Sequence, residues 1–221
     1  MTSQGSGPTI GQAVLRAGST VSEAHAAVVL LHGRGAQAGD MIELSERFRL
    51  EGVAYLSMQA PVNTWYPFTF LHPVEQNEPS LTFALQSMQR VLGVLQDEGI
   101  SSDRTMLLGF SQGGCLALEY AARHPVRYGG VVGLSAGLVG PPGTVWDTED
   151  SLDGTPVFLG CSDVDTHIPR ERVVESAEAL GRMGGNVDMR FYDGMPHTIN
   201  LDEMEMVGEM VGEMKGLKKS D

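Results

Sequence analysis

The sequence predicts an α/β fold, a mostly parallel central sheet with helices on both faces. Two observations predict it. Short, uniformly apolar runs alternate with longer amphipathic stretches, which is the order of a parallel sheet with crossover helices. The runs themselves are apolar throughout rather than alternating, the mark of strands buried on both faces.

The elements follow in order. Residues 13–21 form an antiparallel edge-strand candidate. The apolar runs lie at 26–31 (AAVVLL), 53–58 (VAYLSM), 105–110 (TMLLGF), 130–135 (GVVGLS), 156–161 (PVFLGC) and 187–192 (VDMRFY). Between them fall helix candidates. Residues 41–50 start after Asp40, with Glu43 spaced as in a capping box. Residues 80–98 carry Leu81, Leu85, Met88, Leu92 and Leu95 on one stripe. Residues 112–123 end before His124-Pro125, and 170–183 end at Gly184-Gly185. The last candidate, 201–215, places Met206, Met210 and Met214 on a packing stripe.

The chain has 221 residues, within reach of a single domain spanning 1–221. Residues 1–12, rich in Gly, Ser and Thr, read as a loose segment. No repeat is evident. A net charge of −13 argues against nucleic acid and anionic membrane surfaces. No apolar run reaches the ~20 residues of a membrane span. No signal peptide is evident, so the expectation is a cytoplasmic protein. Cys115 and Cys161 are expected as free thiols. No cysteine or histidine cluster has metal-ligand spacing, so neither metal nor organic cofactor is expected. The three lysines, Lys215, Lys218 and Lys219, all lie at the C-terminus. Salt adaptation and a GC-rich genome both remain open as the origin of that composition.

In such sheets ligands bind beyond the carboxyl ends of the strands, so chemistry is sought after each run. After 105–110 comes Gly109-Phe110-Ser111-Gln112-Gly113, a G-x-S-x-G pattern between strand and helix. The sharp turn exposes Ser111 at a helix N-terminus, and glycine at 109 and 113 relieves the crowding. A serine nucleophile needs a base. Of six histidines, His197 follows the last strand at the ligand end and is last in the chain order serine, acid, histidine. The acid follows 156–161, where Asp163 and Asp165 compete and spacing does not separate them. After 26–31 comes His32-Gly33-Arg34-Gly35. Its backbone N–H groups, with that of Gln112, suit an oxyanion hole. Gly33 is a pocket candidate there, and His32 is expected to organise the loop. The Arg34 side chain has a second option, an anionic substrate. The insert Trp65-Tyr66-Pro67-Phe68-Thr69-Phe70 either packs as an ordinary loop or lines an acyl or aromatic pocket, with Trp65 and Tyr66 as pocket candidates.

Together Leu31-His32-Gly33-Arg34-Gly35, Gly109 to Gly114, Asp163-Val164-Asp165 through Ile168-Pro169 and Gly194-Met195-Pro196-His197 resemble the phospholipase/carboxylesterase family of α/β-hydrolases. The resemblance runs from about residue 25 onward. It implies the α/β-hydrolase fold and a serine carboxylesterase using Ser111, Asp165 and His197. The implied oxyanion donors are the backbone N–H groups of Arg34 and Gln112. It assigns the acid to Asp165, four residues before Pro169. This chain departs from the family pattern at Thr166, usually proline, and at His167, usually apolar. Arg34 brings it nearer the bacterial members, some of them linked to quinone-type compounds. The expected partner is a small-molecule ester substrate, and the expected state is a monomer or homodimer. Lysophospholipase and acyl-thioesterase activity are the alternatives on this scaffold. A non-catalytic binding protein is the alternative of another class.

Overall fold

A computed structural model describes residues 13–216, so the expectation for residues 1–12 lies outside the described residues. Seven strands form one sheet: β1 (Val14–Gly18), β2 (Ala26–Leu31), β3 (Val53–Met58), β4 (Thr105–Phe110), β5 (Gly130–Leu134), β6 (Pro156–Ser162) and β7 (Asn186–Tyr192). Their spatial order is β1-β3-β2-β4-β5-β6-β7. β1 pairs antiparallel with β3, and every other pair is parallel. The helices are α1 (Ala38–Ser45), the single turn α2 (Val74–Asn77), α3 (Ser80–Asp97), α4 (Gln112–Arg123), α5 (Arg170–Arg182) and α6 (Leu201–Gly216).

The period-2 geometry of a strand sends neighbouring side chains to opposite faces. In β2, Ala27, Val29 and Leu31 join the core shared with α3, α4 and α5. Ala26, Val28 and Leu30 join the core shared with α1 and α6. Both faces are dry, which is why the central strands read as continuous apolar runs. Edge strand β7 differs. It carries Asp188 and Arg190, which pair with each other and blunt the open edge.

Two elements depart from the sequence reading. α1 begins at Ala38 with Gln37 as its N-cap, and Asp40 is the third residue of its capping box rather than the N-cap. Its Oδ2 accepts the Gln37 N–H at 2.7 Å, while the Ala38 N–H donates to Gln59 Oε1 at 2.9 Å. The helix start is thus satisfied partly by this local box and partly by Gln59 from a distant segment, which local spacing does not reveal. In α6 the buried side chains include Met204, Val207, Met210, Val211 and Met214, and Met206 only flanks them.

Candidate active site

Ser111 stands between β4 and α4 with φ +53° and ψ −121°, a conformation L-residues rarely adopt. A Cβ at Gly109 would collide with the Gly113 backbone, and one at Gly113 with the carbonyls of Leu31 and His32. Only glycine lets helix and strand approach this closely. The Ser111 N–H donates to the Leu134 carbonyl at 2.9 Å, which ties the turn to β5.

His197 lies in the loop between β7 and α6. Its Nε2 is 2.9 Å from Ser111 Oγ, and its Nδ1 is 2.6 Å from Asp165 Oδ2. The Asp165 side chain is fully buried. Its Oδ1 accepts the backbone N–H groups of His167 (2.8 Å) and Ile168 (3.1 Å). Burial alone would raise the carboxyl pKa. The hydrogen bonds from His197 and from those two amides outweigh it and hold the pKa below its ordinary value. Asp163 is placed differently. Its Oδ1 accepts the Gly194 N–H at 2.8 Å, so it ties the histidine loop to the loop after β6. The imidazole is flanked by two rings, Phe110 at 4.9 Å and His167 at 4.8 Å between centroids. His167 stood out in the sequence as a departure from the family pattern, whereas Phe110 did not stand out as a flank of the imidazole.

The loop after β2 closes over Ser111. A Cβ at Gly33 would lie 3.2 Å from the Phe110 ring and 3.4 Å from Ser111 Cβ. His32 is fully buried. The Ala60 N–H donates to its Nε2 at 3.0 Å, so that nitrogen carries the lone pair. Nδ1 therefore holds the proton and donates to the Gly33 carbonyl at 2.7 Å. Burial lowers the pKa of His32, in keeping with a neutral ring. The Arg34 guanidinium donates to the carbonyls of Tyr66 (3.0 Å), Pro67 (2.9 Å) and Phe68 (2.6 Å). Its fork is spent on the insert. Among the described residues, neither the Arg34 nor the Gln112 backbone N–H donates to a loop carbonyl.

The Gln112 side chain acts as a clamp. Its Oε1 accepts the Trp65 N–H at 3.0 Å, and its Nε2 donates to the Tyr66 carbonyl at 2.8 Å. Trp65 does not line the cleft at Ser111, contrary to its expected place. It is buried, donates from Nε1 to the His32 carbonyl at 2.8 Å and packs on the His32 ring. Tyr66 does line that cleft, a space of about 260 Å³. Phe70, Cys115, His167 and Ile168 join it there. Burial pushes the Cys115 thiol up to about 12, so it is a poor rival nucleophile.

Residues 14–214 match the family model described as phospholipase/carboxylesterase. The chain belongs to the phospholipase/carboxylesterase family. That is a family of ester-hydrolysing serine hydrolases, and the sheet described above is its α/β-hydrolase fold. The crystal structure of a phospholipase/carboxylesterase from Dyadobacter fermentans is 38% identical, with a TM-score of 0.87, over 90% of this chain and 96% of that one. Acyl-protein thioesterase 1 of Saccharomyces cerevisiae is 29% identical over 136 residues, 58% of this chain and 57% of the yeast protein. An alignment with acyl-protein thioesterase 1 of Gibberella zeae covers 50% of this chain and 48% of that protein, at 35% identity. The chain thus spans about half the length of these curated relatives.

Proposed function

We propose that this chain is a serine carboxylesterase acting on small or medium-chain esters through an acyl-enzyme. The observation that carries the reading is the unbroken relay from Ser111 Oγ through His197 to Asp165, at 2.9 and 2.6 Å. Ser111 attacks the ester carbonyl as His197 Nε2 takes its proton. Asp165, its pKa held low, orients the imidazole and stabilises the imidazolium. The backbone N–H groups of Arg34 and Gln112 hold the oxyanion. One such donor is worth about 2.7–4 kcal/mol in the transition state. His197 returns the proton to the leaving oxygen as the C–O bond breaks. Water then enters by the same base and releases the acid.

The acyl group occupies the cleft at Ser111, whose volume of about 260 Å³ favours short chains. The likeness to acyl-protein thioesterase 1 favours a second reading, thioester substrates for the same machinery. The test is hydrolysis of p-nitrophenyl acetate, butyrate, octanoate and palmitate, with butyryl and palmitoyl thioesters beside them, by wild type and Ser111→Ala. The expected result is a maximum at short oxygen esters and a loss of about 10⁴-fold or more in the variant. Rates that peak on long thioesters transfer the reading to the second class. Equal rates for both proteins overturn the triad.

A further inference from the structure

Two clefts meet at His197. One holds Ser111 and takes the acyl group in the reading above. The other, about 730 Å³, lies toward the start of α6, and Leu44, Arg47, Phe110, Ile199 and Met204 help to line it. Its walls are largely apolar, and the exposed Arg47 brings the positive charge. Among the described residues the Arg47 guanidinium has no ion pair or hydrogen bond, although Glu43 and Glu46 lie close to it in the chain. Contrast Arg34, Arg104 and Arg172, whose guanidinium groups are each occupied by backbone carbonyls. In a chain of net charge −13, an uncommitted cation on an apolar wall beside the base is a local exception.

The reaction orders the two spaces. His197 Nε2 delivers its proton to the leaving oxygen, so the leaving group must lie against the imidazole as the C–O bond breaks. With the acyl group at Ser111, the second cleft is the space left on the histidine side. We infer that the cleft by α6 receives the leaving group, and that Arg47 selects alcohols or phenols with an apolar body and an anionic substituent. The inference rests on the esterase reading and names its substrate class. A guanidinium suits a carboxylate or a phosphate, and at an open cleft its attraction is screened by salt.

The experiment compares two esters with one acyl group, 4-nitrophenyl butyrate and 3-carboxy-4-nitrophenyl butyrate. Wild type, Arg47→Ala, Arg47→Glu and Arg47→Lys are assayed at low and high salt. Arg47→Ala is expected to lower the kcat/KM ratio of the anionic to the neutral ester about tenfold, chiefly through KM. Arg47→Glu lowers it further, and Arg47→Lys restores part of it. Raising the salt erodes the ratio in wild type and leaves it flat in Arg47→Ala. The neutral ester stays within about twofold throughout. A ratio that ignores all three substitutions, or equal losses on both esters, overturns the assignment while the esterase reading stands. Wild type inert toward both esters overturns the two together.

Discussion

Asp163 and Asp165 stand two residues apart in one loop, and their roles separate only in three dimensions. Asp165 faces Nδ1 of His197, while Asp163 faces the backbone N–H of Gly194. Asp165→Asn is expected to cut kcat about 10³–10⁴-fold with little change in KM, because the amide favours the wrong imidazole tautomer. Asp163→Asn keeps an acceptor oxygen for Gly194 and should stay within about tenfold. Steady-state kinetics on p-nitrophenyl butyrate checks both. A different carboxyl tests the pH response of the fold. Glu203 is fully buried at the start of α6; its Oε2 accepts the Asn200 N–H at 2.8 Å, and its Oε1 has no partner. Burial pushes its pKa up to about 7. The folded state then binds this proton more tightly than the unfolded chain does. Its contribution is fully present below the unfolded value near 4.5 and is lost as pH rises through about 7, on the order of 3 kcal/mol in all. Glu203→Gln, which mimics the protonated acid, should therefore gain stability relative to wild type between pH 5 and 8. Thermal melts across that range read the difference, and a gap that stays constant with pH would sink the idea. At this scale the pairing of Ser111 with His197 was legible, since a glycine-flanked serine and a histidine after the last strand are local patterns. Spacing alone left the acid open between two aspartates, because spacing carries no direction; the family resemblance pointed to Asp165.

At the scale of elements, the elbow and the insert hold each other. The side chain of Gln112, the first residue of α4, bonds both Trp65 and Tyr66, while Arg34 grips the carbonyls of residues 66–68. Gln112→Ala keeps the backbone N–H that the proposed mechanism assigns to the oxyanion, yet releases that insert. The expected result is a KM raised about tenfold with kcat less affected, and greater protease sensitivity near residue 65. Gly113→Ala is the harsher change, because its methyl meets backbone rather than a movable side chain. It should unfold more readily by several kcal/mol or fail to accumulate, as circular dichroism melts would record. The apolar runs announced the strands well, since both faces of the sheet are covered. The insert was harder to read. An aromatic cluster has the same composition whether it faces a ligand or the core, and Trp65 faces the core while Tyr66 reaches the cleft. The start of α1 was misplaced because the Ala38 N–H is taken by Gln59, in the loop that follows the neighbouring strand β3.

For the whole molecule, two apolar cores share one seven-stranded sheet, and each strand from β2 to β6 feeds both faces. Neither core can open without disrupting the common ladder, so one cooperative transition is expected. Trp65 and Trp146 report from separate loops. Their fluorescence and the far-ultraviolet circular dichroism should therefore give coincident denaturation curves. Separate midpoints would divide the chain into independent units.

The positions of the functional groups along the chain have a further consequence. Arg34, Gln112 and Ser111 all precede residue 146, whereas Asp165 and His197 both follow it. The segment between β5 and β6 is exposed at Asp147, Glu149 and Asp150. Opening the backbone there parts Ser111 from Asp165 and His197. On the proposed mechanism each fragment alone is expected to be inert. Activity regained on mixing would then count reassembled β5–β6 seams, turning the protein into a split reporter of its own sheet.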